Sequence, residues 1–526
     1  MLEGCDERNL KRETEKYWEK LRRNYRNRKP VWREYVRGLL PLEMEGKHAP
    51  EPCHTLVLLV GHSIEPLLQS VWAYRPQELL LVLSRQYGEE TSGGDFAKDL
   101  RDLLSLLPED RRVLDERISQ VIVQARPAEV FRALVERVRE RESVVIDITG
   151  AKKSMVAGAF LYAAYADVPV SYVDFDDAAY STRYGRPYGY ASYIQMFRNP
   201  YTVFALRDWE RVQRLYNSYH FREARRLLED EILPVMRGCP EEAEDSYFEP
   251  EHIAAAERLA RVLHCYELWD AGDFHTAGEK TQEVRAQGLA FDPPTAVESL
   301  GPIWPRAPGG LEVQSAAGRL LDDHKRLTTG GGAPADSFFC QTDRIVIYAE
   351  DELERIGRLI EHNEDYRSAL LRAASLNEVL LKARLARLWY EGKLVGQSRL
   401  PFDKLVEKAT AWRMLKVLEG GQAKLGRRGV QVSLAPGVDR LDSFWDGCAV
   451  DLRTTIELRN KTVHTYLSVP RSVAEGATDV ARRNLDDYRE HWAVKPLPDV
   501  VVHTLEWRAL CELCGADAFL PPNLLD

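Results

Sequence analysis

The chain has 526 residues, which predicts about three domains. It carries 72 Lys+Arg against 82 Asp+Glu, a formal net charge of −10, with 44% hydrophobic and 29% charged residues. That balance excludes a disordered, collagenous or disulfide-stapled chain, and its acidity argues against a protein that coats nucleic acid. Eight scattered cysteines, no apolar run of the roughly 18 residues a spanning helix needs, and a charge-dense stretch from Met1 to Arg28 that is unlike a secretory signal lead to the expectation of a cytoplasmic, reduced protein with no membrane segment.

From about His54 to Asp176 strand-like apolar runs alternate with helical patterns. Strands are expected over 54–60, 79–83, around 121–123, 143–148 and 168–174; helices over 65–72, 95–107, 128–139 and 152–166. Near-continuous apolar strands separated by helices predict a parallel sheet covered on both faces. Residues 180–197, rich in Tyr and Gly, read as a hairpin or loop over the sheet edge.

From Asp208 to Gln287 the pattern is helical throughout. Tyr216, Tyr219, Phe221 and Ala224, then a similar aromatic–aromatic–Ala spacing over 266–277, resemble two tetratricopeptide-like helical pairs, too few for an array. The Pro-rich 291–308 and the Gly-rich 328–334 read as loops near a boundary. Helices return over 351–390, with a break near Asn363, over 450–466 and over 474–492. Residues 381–430 carry 12 Lys+Arg against 4 Asp+Glu, either a solvated helix face or an electrostatic footprint for a polyanion.

Two motifs carry chemistry. Asp147-Ile-Thr149-Gly150-Ala151-Lys152-Lys153-Ser-Met155 falls at the carboxyl end of the fourth strand, where open parallel sheets bind ligands. A glycine there admits a phosphate close to the backbone, the following helix adds its amino-terminal amides, and Lys152, Lys153 and Thr149 add charge and a hydroxyl. Gly61-His62-Ser63 after the first strand and Ser84-Arg85 after the second reach the same edge, so an anionic ligand is expected. The dinucleotide and P-loop fingerprints are both absent: Gly61 is followed by His-Ser-Ile-Glu-Pro, and Ala151 precedes Lys152.

The second motif is Arg459-Asn460-Lys-Thr-Val-His464. Five residues on a helix place the Arg and His about 140° apart, so they converge only at a helix end or across an interface. Arg offers a forked donor to a phosphate, and His a proton acceptor or donor near neutral pH. No metal-ligand spacing accompanies the pair; the histidines form no His-x-x-x-His, and Cys511-x-x-Cys514 reads as two packed thiols.

Together these motifs resemble a known architecture. Asp147-x-Thr149-Gly150-x-x-Lys153-x-Met155 and Gly61-His62-Ser63-x-x-Pro66 look like the two ligand loops of CARF domains, the CRISPR-associated Rossmann-like sensors. Arg459-Asn460-x-x-x-His464 matches the Arg-x(4–6)-His motif of HEPN ribonucleases, and Asp365-Tyr366-Arg367 with Asn377-Glu378 resembles the early helix of that fold. The order is similar to that of the accessory ribonucleases of type III CRISPR systems. The resemblance implies a multi-domain chain: an α/β Rossmann-like CARF domain with an N-terminal helical extension over 1–200, a helical linker over 201–345 and an all-α HEPN domain over 346–526.

It further implies a homodimer that cuts single-stranded RNA without a metal and needs no cofactor beyond its activator, cyclic tetra- or hexa-adenylate. Gly61, His62, Ser63, Ser84, Arg85, Thr149, Gly150, Lys152 and Lys153 would surround that ligand; Arg459 and His464 would be catalytic, with Asn460 supporting them. Ala151 and Lys152 replace the family's second Gly and Thr, which leaves the ring size open. The alternatives are a ligand sensor whose HEPN domain only dimerises and a CARF-controlled transcription regulator.

Overall fold

The computed structural model describes residues 7–25, 27–61, 63–88, 96–138, 143–197, 199, 204–238, 248–305, 325, 334–396, 405, 409–425, 429–465, 468–494 and 501–525. The chain divides into two compact units, Met1–Leu206 and Arg207–Asp526.

The first unit begins with α1 (Glu7–Arg23), α2 (Lys29–Glu34) and α3 (Leu40–Met44), the last two joined by a π-helical turn over Tyr35–Leu39. Strand and helix then alternate: β1 (Thr55–Val60), α4 (Glu65–Tyr74), β2 (Glu78–Ser84), α5 (Arg85–Gly88), α6 (Phe96–Leu104), β3 (Ile118–Val123), α7 (Pro127–Arg137), β4 (Val144–Asp147), α8 (Lys153–Ala166) and β5 (Val170–Phe175). A short hairpin, β6 (Tyr180–Ser181) and β7 (Arg186–Pro187), precedes β8 (Ser192–Phe197). The sheet order is β3-β2-β1-β4-β5-β8, with β8 antiparallel to β5 and the other pairings parallel. The Tyr- and Gly-rich 180–197 is therefore both a hairpin and a sheet edge.

The pleat explains why β1 and β2 are apolar without a break over Leu56–Val60 and Leu79–Leu83. Leu56, Leu58, Val60, Leu79, Leu81 and Leu83 point to one face, where they pack with Tyr17 and Trp18 of α1, Trp32 of α2 and residues of α4 and α6. Val57, Leu59, Leu80 and Val82 point to the other, against α7 and α8. The sheet is covered on both sides, as its sequence predicts, and the N-terminal helices belong to that covering.

The second unit is mainly helical. Its first part holds α9 (Leu206–Asn217), α10 (Phe221–Leu227), α11 (Leu233–Arg237), α12 (Pro250–Asp270), α13 (Phe274–Ala286) and α14 (Thr295–Leu300). Tyr216, Phe221, Ala224, Tyr266 and Ala277, which carry the expected aromatic–Ala spacing, are all buried, with Phe221 and Tyr266 ring centroids 5.4 Å apart. Helix α14 lies inside the Pro-rich stretch read as a loop; Pro294, in an extended conformation, starts the helix rather than preventing it. The Gly-rich 328–333 lies outside the described residues.

Next come α15 (Thr342–Glu361), α16 (Tyr366–Tyr390), β9 (Leu394–Val395), α17 (Ala411–Leu418), β10 (Ala423–Leu425), β11 (Val430–Leu434), α18 (Leu452–His464), α19 (Arg471–His491) and α20 (Trp507–Cys514). The stretch expected to be all-α therefore holds a small antiparallel sheet, in the order β10-β11-β9. The break expected near Asn363 falls between α15 and α16, where Asp365 caps α16 by accepting from the Ser368 amide at 3.0 Å. Cys511 and Cys514 are free, fully buried thiols, and burial raises both above the usual thiol range. Among the described residues no helix is long and apolar enough to cross a membrane.

A buried polar ladder joins α16 to α19. Asn484 Nδ2 donates to Asn377 Oδ1 at 2.9 Å, and Arg384 Nη2 donates to the Asn484 carbonyl at 2.9 Å and pairs with Asp487 at 2.8 Å. Removing one partner would strand a buried charge, so the ladder holds the two helices in one register. It also bears on the basic stretch 381–430. Arg384 is buried, and Lys382, Arg387 and Lys393 pair with Glu378, Glu391 and Glu391 at 3.3, 2.8 and 2.8 Å. This part of the stretch is spent on internal pairing, whereas Arg413, Lys416 and Lys424 are exposed; residues 397–404, 406–408 and 426–428 lie outside the described residues.

Candidate functional site

In a doubly wound sheet the ligand crevice opens where the strand order reverses. Here β2 and β3 extend from one side of β1, and β5 and β8 from the far side of β4, so the switch point lies between β1 and β4. The loops leaving those strands carry Gly61, Ser63, Thr149, Gly150, Lys152 and Lys153; His62 lies outside the described residues. The loops touch through their backbones. A Cβ at Gly61 would stand 1.5 Å from the Gly150 carbonyl oxygen, and one at Gly150 would stand 2.7 Å from the Leu59 carbonyl oxygen. Both positions require glycine for close approach.

Asp147 anchors the second loop. Its fully buried carboxylate accepts from Ser70 Oγ of α4 at 2.7 Å, Ser171 Oγ of β5 at 2.9 Å and the Thr149 amide at 3.0 Å. Burial raises its pKa, and these hydrogen bonds oppose that rise. Sequence reasoning places Asp147 in the motif without a task; the signal for one is a carboxylate ending an otherwise apolar strand. Thr149 Oγ1 accepts from the Val173 amide at 2.8 Å, which ties the turn to β5.

Lys152 is the N-cap of α8 and makes no side-chain cap, and Lys153 is its first helical residue; both are exposed. The amino-terminal amides of α8 therefore face an edge flanked by two cationic residues, an arrangement that favours an anion. Ser84 ends β2, one strand away, and Arg85 follows it: Ser84 is buried, with no partner for its Oγ among the described residues, and Arg85 is exposed.

Beside the crevice lies a pocket of about 200 Å³, lined by Ser63 and Thr149 and by Tyr17, Glu43, Glu65 and Arg186 among others. Glu65 accepts from Tyr17 Oη at 2.9 Å and Arg186 Nη1 at 3.2 Å. Glu43 accepts from Tyr35 Oη at 2.8 Å and Gln69 Nε2 at 3.1 Å, and burial pushes its carboxyl up to about 7. Lys47 donates to the Gly189 carbonyl and Ser192 Oγ, each at 2.7 Å, and burial lowers its ammonium to about 8. These polar atoms satisfy one another, and the charged lining residues are mostly acidic, Glu43, Glu65 and Asp174 against Arg186. Phosphate suits the outer edge with its lysines, not this pocket.

The second motif lies on α18, whose N-cap Asp451 accepts from the Thr454 amide at 2.6 Å. Arg459 Nη1 donates to Asn460 Oδ1 at 3.3 Å, and both residues are half-buried. His464 is the last helical residue and is exposed. The helix end is one of the two places where the Arg–His spacing lets the side chains converge. The cap at that end comes from α16: Arg367 Nη2 donates to the Thr462 carbonyl at 3.0 Å and the Thr465 carbonyl at 3.5 Å. No periodicity in the sequence reveals this contact. Among the described residues no group of three His, Cys, Asp or Glu is placed to hold a metal.

The fold and the two sites define a doubly wound α/β unit with an anion-suited crevice, and a helical unit with an Arg-Asn-x-x-x-His motif at a helix end. No protein family's sequence profile and no curated protein matches the chain. Solved structures do match. One is Can2 from Sulfobacillus thermosulfidooxidans in complex with cyclic tetra-adenylate, at 18% identity and a TM-score of 0.20, over 34% of this chain and 50% of that one. Another is Csm6 from Enterococcus italicus bound to cyclic hexa-2′-fluoro-hexa-dAMP, at 10% identity and a TM-score of 0.34, over 89% of this chain and 100% of that one. The chain thus spans half the length of the Can2 chain.

Proposed function

We propose that this protein is an endoribonuclease of type III CRISPR defence, switched on by a cyclic oligoadenylate and cutting single-stranded RNA without a metal. The carrying observation is the switch-point crevice. Two loops in backbone contact through Gly61 and Gly150 stand beside the uncapped, lysine-flanked start of α8, and the same chain carries Arg459, Asn460 and His464. A ring of phosphodiesters meets amides and ammonium groups there, while Arg459 and His464 supply phosphate stabilisation and proton handling. Both solved structures named above hold cyclic nucleotide ligands, in agreement with the motif reading rather than as its ground.

In this reading 1–200 is the CARF sensor with its helical extension, 201–345 the helical linker and 346–526 the HEPN domain. The working form is a homodimer, because a two-fold cyclic ligand suits a two-fold pocket and two Arg–His pairs would face one phosphate. The test is to incubate purified protein with each cyclic oligoadenylate and end-labelled RNA. Cleavage that depends on one of them is expected; cleavage by none, or equally without ligand, overturns the reading. Arg459→Ala beside wild type separates a nuclease from a sensor whose second domain only dimerises.

A further inference from the structure

We infer that Arg367 is a positioning residue for the His464 end of α18, acting through the helix backbone rather than on the RNA. For its activity arm the inference rests on the ribonuclease reading above.

The two halves of α18 are held differently. The amino-terminal half is anchored by apolar packing: Leu452 and Ile456 are buried in a cluster with Leu381 and Leu385 of α16 and Val480 of α19. In the carboxyl-terminal half Lys461, Val463 and His464 are exposed, and Thr462 is the buried side chain. A helix end leaves its last carbonyls without intrahelical donors and frays unless something caps them. Thr465 Oγ1 reaches back to the Lys461 carbonyl at 2.6 Å, a bond within the segment that fixes nothing relative to the rest of the unit.

Arg367 supplies the external tie. One guanidinium nitrogen bonds the carbonyls of Thr462 and Thr465, the residues that bracket His464. Arg367 itself sits in the first turn of α16, which is fixed by the Asp365 cap and, further along, by the Asn377–Asn484–Arg384 ladder to α19. The chain from α19 through α16 to the α18 terminus therefore sets where the imidazole stands. A cation at a helix carboxyl terminus is also favourable with the helix dipole. The planar guanidinium holds the two N–H groups of that nitrogen in fixed directions, whereas the donors of an ammonium turn freely on a flexible stem.

The experiment uses full-length protein with saturating activator over a range of RNA concentrations, comparing wild type, Arg367→Ala and Arg367→Lys. Arg367→Ala should lower kcat by up to about 10²-fold, the order expected for a misplaced reacting group, with KM unchanged. Arg367→Lys should recover part of that loss. Hydrogen exchange supplies an arm independent of activity: amides in the last turn of α18 should exchange at least about tenfold faster in Arg367→Ala, with α15 and α19 unchanged. A raised KM at unchanged kcat would make Arg367 an RNA contact and overturn the inference, as would unchanged exchange at the helix end. If wild type cleaves no RNA with any activator, the ribonuclease reading fails while exchange still decides the role of Arg367.

Discussion

A methyl group at position 61 would stand 1.5 Å from the carbonyl oxygen of Gly150, so the loops after β1 and β4 cannot both keep their course with any other residue there. Gly61→Ala should therefore destabilise the protein by about 3 kcal/mol or more, because the obstacle is backbone and not a side chain that can turn away. Urea unfolding followed by near-ultraviolet circular dichroism measures it. A midpoint within error of wild type would show that the loops separate at little cost.

Asp147 should matter to the same edge for a different reason. Asp147→Ala leaves the Ser70 and Ser171 hydroxyls and the Thr149 amide without their shared acceptor in a buried place. A loss of about 3 kcal/mol is expected, and Asp147→Asn should keep part of it by retaining one oxygen acceptor. Equal stability of the two variants would argue against a hydrogen-bonding role.

Much of this first unit is legible in its sequence, and the reasons are local. Leu56 through Val60 form an unbroken apolar run because both pleat faces are covered, and Gly150-Ala151-Lys152-Lys153 marks a strand–helix turn by residue type alone. The covering by α1 and α2 is harder to read. Their charged outer faces dominate the composition, and the inward Tyr17, Trp18 and Trp32 become informative only once the sheet is in place. The Arg367 contact is harder still, since it joins a side chain to backbone carbonyls about a hundred residues away, which no spacing encodes.

Stability should depend on pH through Glu43 and Lys47. Burial lifts the folded-state pKa of Glu43 to about 7, above the ordinary carboxyl value of 4.5. The folded protein thus holds a proton that the unfolded chain releases, and stability falls as pH rises through that window. Lys47 works in the opposite sense. Its ammonium titrates at about 8 when folded against 10.5, so stability rises between those values. Tyr35, Gln69 and Glu65 face Glu43 alongside Lys47. Unfolding free energy measured from pH 4 to 10 should show a minimum near pH 7–8, and Glu43→Gln should flatten its acid flank. An unchanged acid flank in that variant would assign the slope to other groups.

Lys153→Glu tests the crevice. Replacing a cation at the start of α8 by an anion should weaken cyclic oligoadenylate binding about 10–100-fold, the size of one charge-assisted hydrogen bond. Activation should shift to higher ligand concentration by the same factor, since a ligand moves an equilibrium only by its differential affinity. Calorimetric titration and the activation curve should agree. A variant that responds at wild-type concentrations would place the ligand elsewhere.

The cutting chemistry is the last test, and it follows from what Arg459, Asn460 and His464 can each do. In the ribonuclease reading the attacking oxygen is expected to be the 2′-hydroxyl of the RNA, already positioned beside the phosphate it attacks. His464, exposed at the helix end, would orient that hydroxyl or move its proton, a contribution of about 10²–10⁴-fold. Arg459 would stabilise charge on the phosphoryl oxygens, typically worth about 3–4 kcal/mol per donor. Asn460 accepts from the Arg459 guanidinium and should matter less, through the placement of that side chain. The expected products are a 2′,3′-cyclic phosphate and a 5′-hydroxyl, with EDTA without effect and DNA resistant because it lacks the nucleophile. His464→Ala and Arg459→Ala should nearly abolish activated cleavage, and Asn460→Ala should only reduce it. Mass spectrometry of the product ends decides the matter: 5′-phosphate termini, cleavage of DNA or a requirement for Mg²⁺ would each show a different nuclease chemistry.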